Sequence, residues 1–138
     1  MFLNPKPAEI REILARARTI AVVGLSPDPG RPSHFVARNL QRLGFRIVPV
    51  RPGVSEILGE PAHARLEDIP FPVDIVDVFR APEHVPELAA ACLRIQCPVL
   101  WLQEGVVNEA AAESARKAGL TVVMDRCIYK DYVDSFSA

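Results

Sequence analysis

Five short apolar runs, alternating with stretches of helical periodicity, set the architecture of this chain. The runs fall at residues 19–24, 45–50, 74–79, 99–102 and 120–124. They are apolar on both alternating faces, which a strand tolerates when both sides of its sheet are covered. Between them, apolar residues recur three and four apart: Val36, Leu40 and Leu43; Val85, Leu88, Ala89 and Cys92; Ala111, Ala112, Ala115 and Ala118. Strands alternating with helices imply a parallel sheet, and right-handed crossovers make it doubly wound. The expected fold is α/β, with about five parallel strands and helices on both faces. The 138 residues suit a single domain, 1–138.

Local signals place the boundaries. A first helix is expected over 6–17, with Ile10, Ile13, Leu14 and Ala17 on one face. Ser33 has N-cap chemistry for the next helix, and Gly44 is placed to end it in a left-handed cap. Residues 51–61, rich in Pro and Gly, read as loop with at most one short helical turn. Pro82 suits a first helical position, Pro98 stops that helix, and Asn108 can cap another that Gly119 closes. A last helical segment is expected from Tyr129 to Phe136.

Composition narrows the function. Sixteen Lys and Arg stand against seventeen Asp and Glu, without the basic excess of a nucleic-acid module. No apolar run approaches membrane-spanning length, and the first residues lack the pattern of a signal peptide. Cys92, Cys97 and Cys127 form no Cys-x-x-Cys pair. A reduced, cytoplasmic setting is the expectation. His34, His63 and His84 lack metal-ligand spacing, so no metal is expected. His34 alone lies near a candidate site. No protein partner can be read from the sequence.

In a doubly wound sheet ligands bind beyond the carboxyl ends of the strands. The candidate site is therefore the set of loops after residues 24, 50, 79, 102 and 124. The first is Gly24-Leu-Ser26-Pro-Asp-Pro-Gly30-Arg31-Pro-Ser33. Gly24 permits a sharp turn and close approach. The helix that follows offers unpaired N–H groups and a positive dipole end. Arg31 adds charge, and Ser26 and Ser33 add hydroxyls. The expected ligand carries phosphate. The loop is not Gly-x-Gly-x-x-Gly: Ser26 and Pro29 stand where the second and third glycines would fall. After the second strand a protein that binds NAD usually has a carboxylate. This chain has Pro49-Val50-Arg51-Pro52. An arginine there suits an extra ribose phosphate, as in NADP or coenzyme A, with Pro49 and Pro52 forming a wall beside an adenine.

Phe79 and Arg80 end the third strand, and Gln103, Glu104 and Gly105 follow the fourth. Gly105 is the best placed of these for close backbone approach. Trp101 reads as core. Asp77, inside an apolar strand, is expected to be a hydrogen-bonded core acid, since a lone buried carboxylate is costly. Cys127 reads as a half-buried thiol whose neighbour Arg126 could activate it. No nucleophile–base pair is legible, and no catalytic residue is assigned.

Taken together, Gly24-Leu-Ser26, Arg31-Pro-Ser33, Val48-Pro-Val-Arg51-Pro, Val78-Phe-Arg80, Trp101-Leu-Gln-Glu-Gly105 and Val123-Met-Asp-Arg-Cys127 resemble the stand-alone CoA-binding domain proteins. These are similar to the CoA-binding domain of the succinyl-CoA synthetase alpha subunit. The resemblance spans roughly residues 10–130 and implies a Rossmann-like fold holding coenzyme A, or an acyl-CoA, across the strand ends. The ligase chemistry of the synthetase needs a further domain that 138 residues leave no room for. The site residues implied are Gly24, Ser26, Arg31, Ser33, Pro49, Val50, Arg51, Phe79, Arg80, Gln103 and Gly105. Two other readings compete: an NADP-binding enzyme or enzyme subunit, and an interaction module with an unused nucleotide pocket.

Overall fold

The computed structural model describes residues 1–137. Five strands form one parallel sheet: β1 (Thr19–Val23), β2 (Arg46–Val50), β5 (Ile75–Val78), β6 (Val99–Leu102) and β7 (Thr121–Met124), in spatial order β2-β1-β5-β6-β7. The order reverses between β1 and β5, and this is the switch point at which a crevice opens above the strand ends. The chain is therefore a Rossmann-like, doubly wound α/β fold. Two very short strands, β3 (Glu56–Ile57) and β4 (Glu60–Pro61), make a separate antiparallel pair. They occupy part of the segment expected to be loop.

The helices are α1 (Pro7–Arg16), α2 (Pro32–Arg42), α3 (Val85–Arg94), α4 (Glu109–Lys117) and α5 (Ile128–Phe136). Alternation along the strands builds two cores. Ala21, Val48, Val76, Leu100 and Val122 pack with Ala89 and Cys92 of α3 and Ala112 and Ala115 of α4. Ile20, Ile47, Ile75, Trp101 and Val123 pack with Leu14 of α1, Leu40 of α2 and Ile128 of α5. Trp101 is fully buried, and its indole N–H donates to the Arg126 carbonyl at 2.8 Å.

Several boundaries follow their sequence signals. Gly44 adopts φ 103° after the last turn of α2. The Asn108 side chain accepts from the Ala111 N–H at 3.0 Å and caps α4. Others differ. Pro82 opens a 3₁₀ turn, Pro82–His84, and α3 begins only at Val85. Ser33 is not an N-cap. Pro32 takes the first helical position, where its missing N–H costs nothing, and Arg31 stands before it without a side-chain cap.

Before α1 the chain crosses the β7 side of the sheet. Phe2 is buried in the α3–α4 core, while α1 packs on the opposite face. Between them, the Asn4 side-chain amide donates to the Met124 carbonyl at 2.9 Å and its oxygen accepts from the Met124 N–H at 2.7 Å. No helix among the described residues is long and apolar enough to cross a membrane.

Candidate functional site

The loop after β1 is braced by its own polar groups. Gly24 has φ 85°, and a Cβ there would collide with the Phe79 carbonyl oxygen and lie 3.1 Å from Arg80 Cδ. Only glycine lets the loops after β1 and β5 meet this closely. The Ser33 hydroxyl accepts from the Ser26 N–H at 3.0 Å, and the Ser26 hydroxyl accepts from the Asp28 N–H at 3.1 Å. Asp28 Oδ1 accepts from the Gly30 N–H at 2.9 Å. His34 is buried, and its Nδ1–H donates to the Ser26 carbonyl at 3.0 Å. Its role is to hold the loop. The start of α2 lies in the same turn, and as the second helical residue Ser33 has no intrahelical acceptor for its N–H.

Three arginines converge on this loop. Arg31, Arg51 and Arg80 line one cleft of about 290 Å³ together with Gly24, Ser26 and Ser33. Phe79 lines it too. Arg51 Nη1 lies 3.4 Å from the Gly24 and Leu25 carbonyls, at the long limit of a hydrogen bond. Arg80 donates to His84 Nε2 at 3.1 Å, while His84 Nδ1–H donates to Glu87 at 2.9 Å. This chain of contacts steers Arg80 without neutralising it. Among the described residues, no carboxylate forms an ion pair with Arg31, Arg51 or Arg80. Three uncompensated cations beside a helix N-terminus make a site for a polyanion.

Two further clefts adjoin this one. On the β2 side, Val23, Val50, Pro52, Leu88, Arg65 and Arg80 border a cleft of about 280 Å³. Glu67 and Arg94 also border it but pair with each other at 2.7 Å, which holds the Glu67 carboxyl below its usual range. Pro49 is buried within β2 and lies outside all three clefts, so the proline beside this opening is Pro52. On the other side, a groove of about 960 Å³ runs between the first turns of α2 and α5 and the loops after β5 and β6. Arg80 borders all three clefts. Arg31, Pro32 and Phe79 border both the central cleft and the groove.

Gln103 and Gly105 line the groove. The Gln103 side chain is itself committed, with its oxygen accepting from the Ile128 N–H at 2.9 Å at the start of α5. The Gly105 N–H donates to Asp125 at 2.8 Å. Lys130 and Glu104 pair at 3.1 Å on the rim. Phe35 and Tyr129 form part of the wall and were not singled out from the sequence. The available signal was Phe35 itself, a large aromatic off the Val36–Leu40–Leu43 stripe and close to the loop.

Two expectations need correction. Asp77 is not hydrogen-bonded: it is fully buried in β5 between Val22 and Trp101, and neither carboxylate oxygen has a partner. Burial pushes its carboxyl well above the ordinary range, so the acid avoids the cost of a buried charge by keeping its proton. Cys127 is buried rather than half-buried, and Arg126 is engaged elsewhere. Its guanidinium binds both oxygens of Asp131 at 2.7 Å. The bidentate pair directs the cation to α5.

A family model described as a CoA binding domain matches residues 18–132. The chain belongs to this CoA-binding family. It is similar to the uncharacterized protein YneT of Bacillus subtilis, with 48% identity over 91% of this chain and 93% of that protein. It is also similar to the solved structure of a hypothetical protein from Pyrococcus horikoshii, with 31% identity, a TM-score of 0.93, and 99% of each chain covered. A third relative is acetate–CoA ligase [ADP-forming] II of Archaeoglobus fulgidus, 34% identical over 54% of this chain. The match covers only 11% of that protein. The chain thus matches nearly the whole of some relatives and a small part of a ligase.

Proposed function

We propose that this chain binds coenzyme A across the strand ends, with its nucleotide end over β1 and β2 and its pantetheine arm toward β6. One observation carries the reading: three uncompensated arginines meet at the α2 N-terminus, in a cleft flanked on one side by an opening of about 280 Å³ and on the other by a groove of about 960 Å³. Coenzyme A has the same order of parts. Arg31, the Ser26 and Ser33 hydroxyls and the Ser33 N–H take the pyrophosphate, and Gly24 gives it room. Arg51 takes the ribose 3′-phosphate. Val50 and Pro52, with Pro49 behind them, flank the adenine. Phe79 and Arg80 separate nucleotide from arm, and Gln103 and Gly105 border the arm. Family membership and the CoA named in the ligase relative support the same ligand. The reading assigns no reaction to the chain.

Titration calorimetry and thermal unfolding with CoA, dephospho-CoA, NADP and NAD test it. CoA at about 100 times its Kd stabilises the fold by about 2.7 kcal/mol. Binding follows the order CoA, then dephospho-CoA, with the dinucleotides weakest. Tight NADP binding with CoA silent would transfer the site to a dinucleotide. No heat and no shift with any of the four would leave an interaction module with an unused pocket.

A further inference from the structure

Polarity changes along the trough. The central cleft is bordered by Arg31, Arg51 and Arg80, whereas Phe35, Val106, Cys127 and Tyr129 border only the groove beyond it. The charged side chains that reach the far part of the groove, Lys130 and Glu104, neutralise each other at 3.1 Å. Phe35 is 49% exposed on the first turns of α2, and its ring meets Tyr129 of α5 edge to face at 6.1 Å. The pair bridges the two helices and forms an apolar wall. A pantetheine arm presents two amides, a hydroxyl and a thiol, and of this wall only the Tyr129 hydroxyl can answer them, while the Phe35 ring and Val106 offer apolar contact alone. The groove, at about 960 Å³, is also more than three times the volume of the central cleft that takes the pyrophosphate. An aliphatic chain on the sulfur would use both the space and the wall.

Resting on the CoA reading, we propose that the ligand this site favours is an acyl-CoA with an uncharged aliphatic acyl group, whose chain lies against Phe35 and Tyr129. The arm enters the groove through the opening that Arg31, Pro32, Phe79 and Arg80 share with the cleft, and the acyl chain continues from it within the groove. Arginines hold the nucleotide, and the aromatic pair reads the acyl group. No covalent step is involved. Specificity comes from apolar area withdrawn from water, so affinity rises with chain length until the groove is filled.

The experiment is calorimetric titration of the full chain with CoA, acetyl-, butyryl-, hexanoyl- and succinyl-CoA. Each added methylene lowers Kd by about two- to fourfold, the span for partial to full burial of one CH₂. In Phe35→Ala the dependence of Kd on chain length flattens. Succinyl-CoA binds more weakly than butyryl-CoA, because its carboxylate enters the apolar end. If CoA binds but the acyl series stays within twofold of it, the acyl inference fails and the CoA reading stands. Tighter binding of succinyl- than of butyryl-CoA overturns the uncharged class and points to Lys130 as a carboxylate partner. Silence with every ligand overturns both the inference and the reading beneath it.

Discussion

The carbonyl oxygen of Phe79 occupies the space into which a Cβ on Gly24 would project. Two loops from neighbouring strands, β1 and β5, are thereby locked face to face at the point where the strand order reverses. Gly24→Ala must either strain its backbone at φ 85° or push the β5 loop away. The expected cost is about 1–3 kcal/mol, the range for a non-glycine residue held in a sparsely populated region. Urea unfolding checks the loss. Because Phe79 and Arg80 move with the displaced loop, CoA affinity falls as well.

On the proposed CoA reading, Arg51 is the residue that should discriminate between ligands differing by one phosphate. Arg51→Ala should weaken CoA by about 1.5–3 kcal/mol, the range for hydrogen bonds to charged groups. That is about 10- to 150-fold in Kd. Dephospho-CoA should be barely affected, because the partner phosphate is absent. Lysine recovers only part of the loss, since it keeps the charge but not the fork. Equal weakening of both ligands in calorimetry would move Arg51 to the pyrophosphate.

Asp77 makes stability depend on pH. Its carboxyl is raised in the folded protein, so between the ordinary carboxylate value and the folded one the native state holds a proton that the unfolded chain has released. The Asp77 contribution is therefore full below about pH 4 and is lost as pH rises toward the folded value, by up to about 1.4 kcal/mol per pH unit. Asp77→Asn removes this term. Urea titrations upward from pH 4 should show the variant gaining on the native chain until the folded value is passed. Parallel curves would mean that the native acid finds a partner or ionises freely.

Asn108→Ala removes the one side-chain acceptor at the start of α4 and should cost about 1 kcal/mol. Asn108→Asp or Asn108→Ser should keep most of the stability. Thermal unfolding of the four proteins gives the comparison, and an unchanged alanine variant would show that water caps the helix equally well.

The sheet was legible because its strands are apolar on both faces, a pattern that only a doubly covered position satisfies. The place of the candidate cleft was legible too, since strand ends and a switch point are properties of the topology. What escaped was set by contacts at long range or by unusual turns. The β3–β4 pair turns through Leu58 and Gly59, both at positive φ, and leucine there carries none of the usual Asn-Gly signal for such a turn. Ser33 looked like a cap but serves the Ser26 N–H seven residues away. Asp77 was expected to have a partner because most buried acids do, and nothing in the flanking residues says that β5 supplies none. Arg126 looked free to act on Cys127 until α5 brought Asp131 against it.

The two hydrogen bonds between Asn4 and Met124 have a consequence for how these molecules meet one another. Strand β7 lies at the border of the sheet and pairs only with β6, so its outer backbone groups are a template on which a strand of another molecule could add. The segment from Phe2 to Asn4 lies across that border, filling one bonding position with a side chain while forming no strand of its own. It acts as a guard against intermolecular sheet growth. Removal of residues 1–5 should therefore show itself as concentration-dependent association in light scattering, with the native chain as the control.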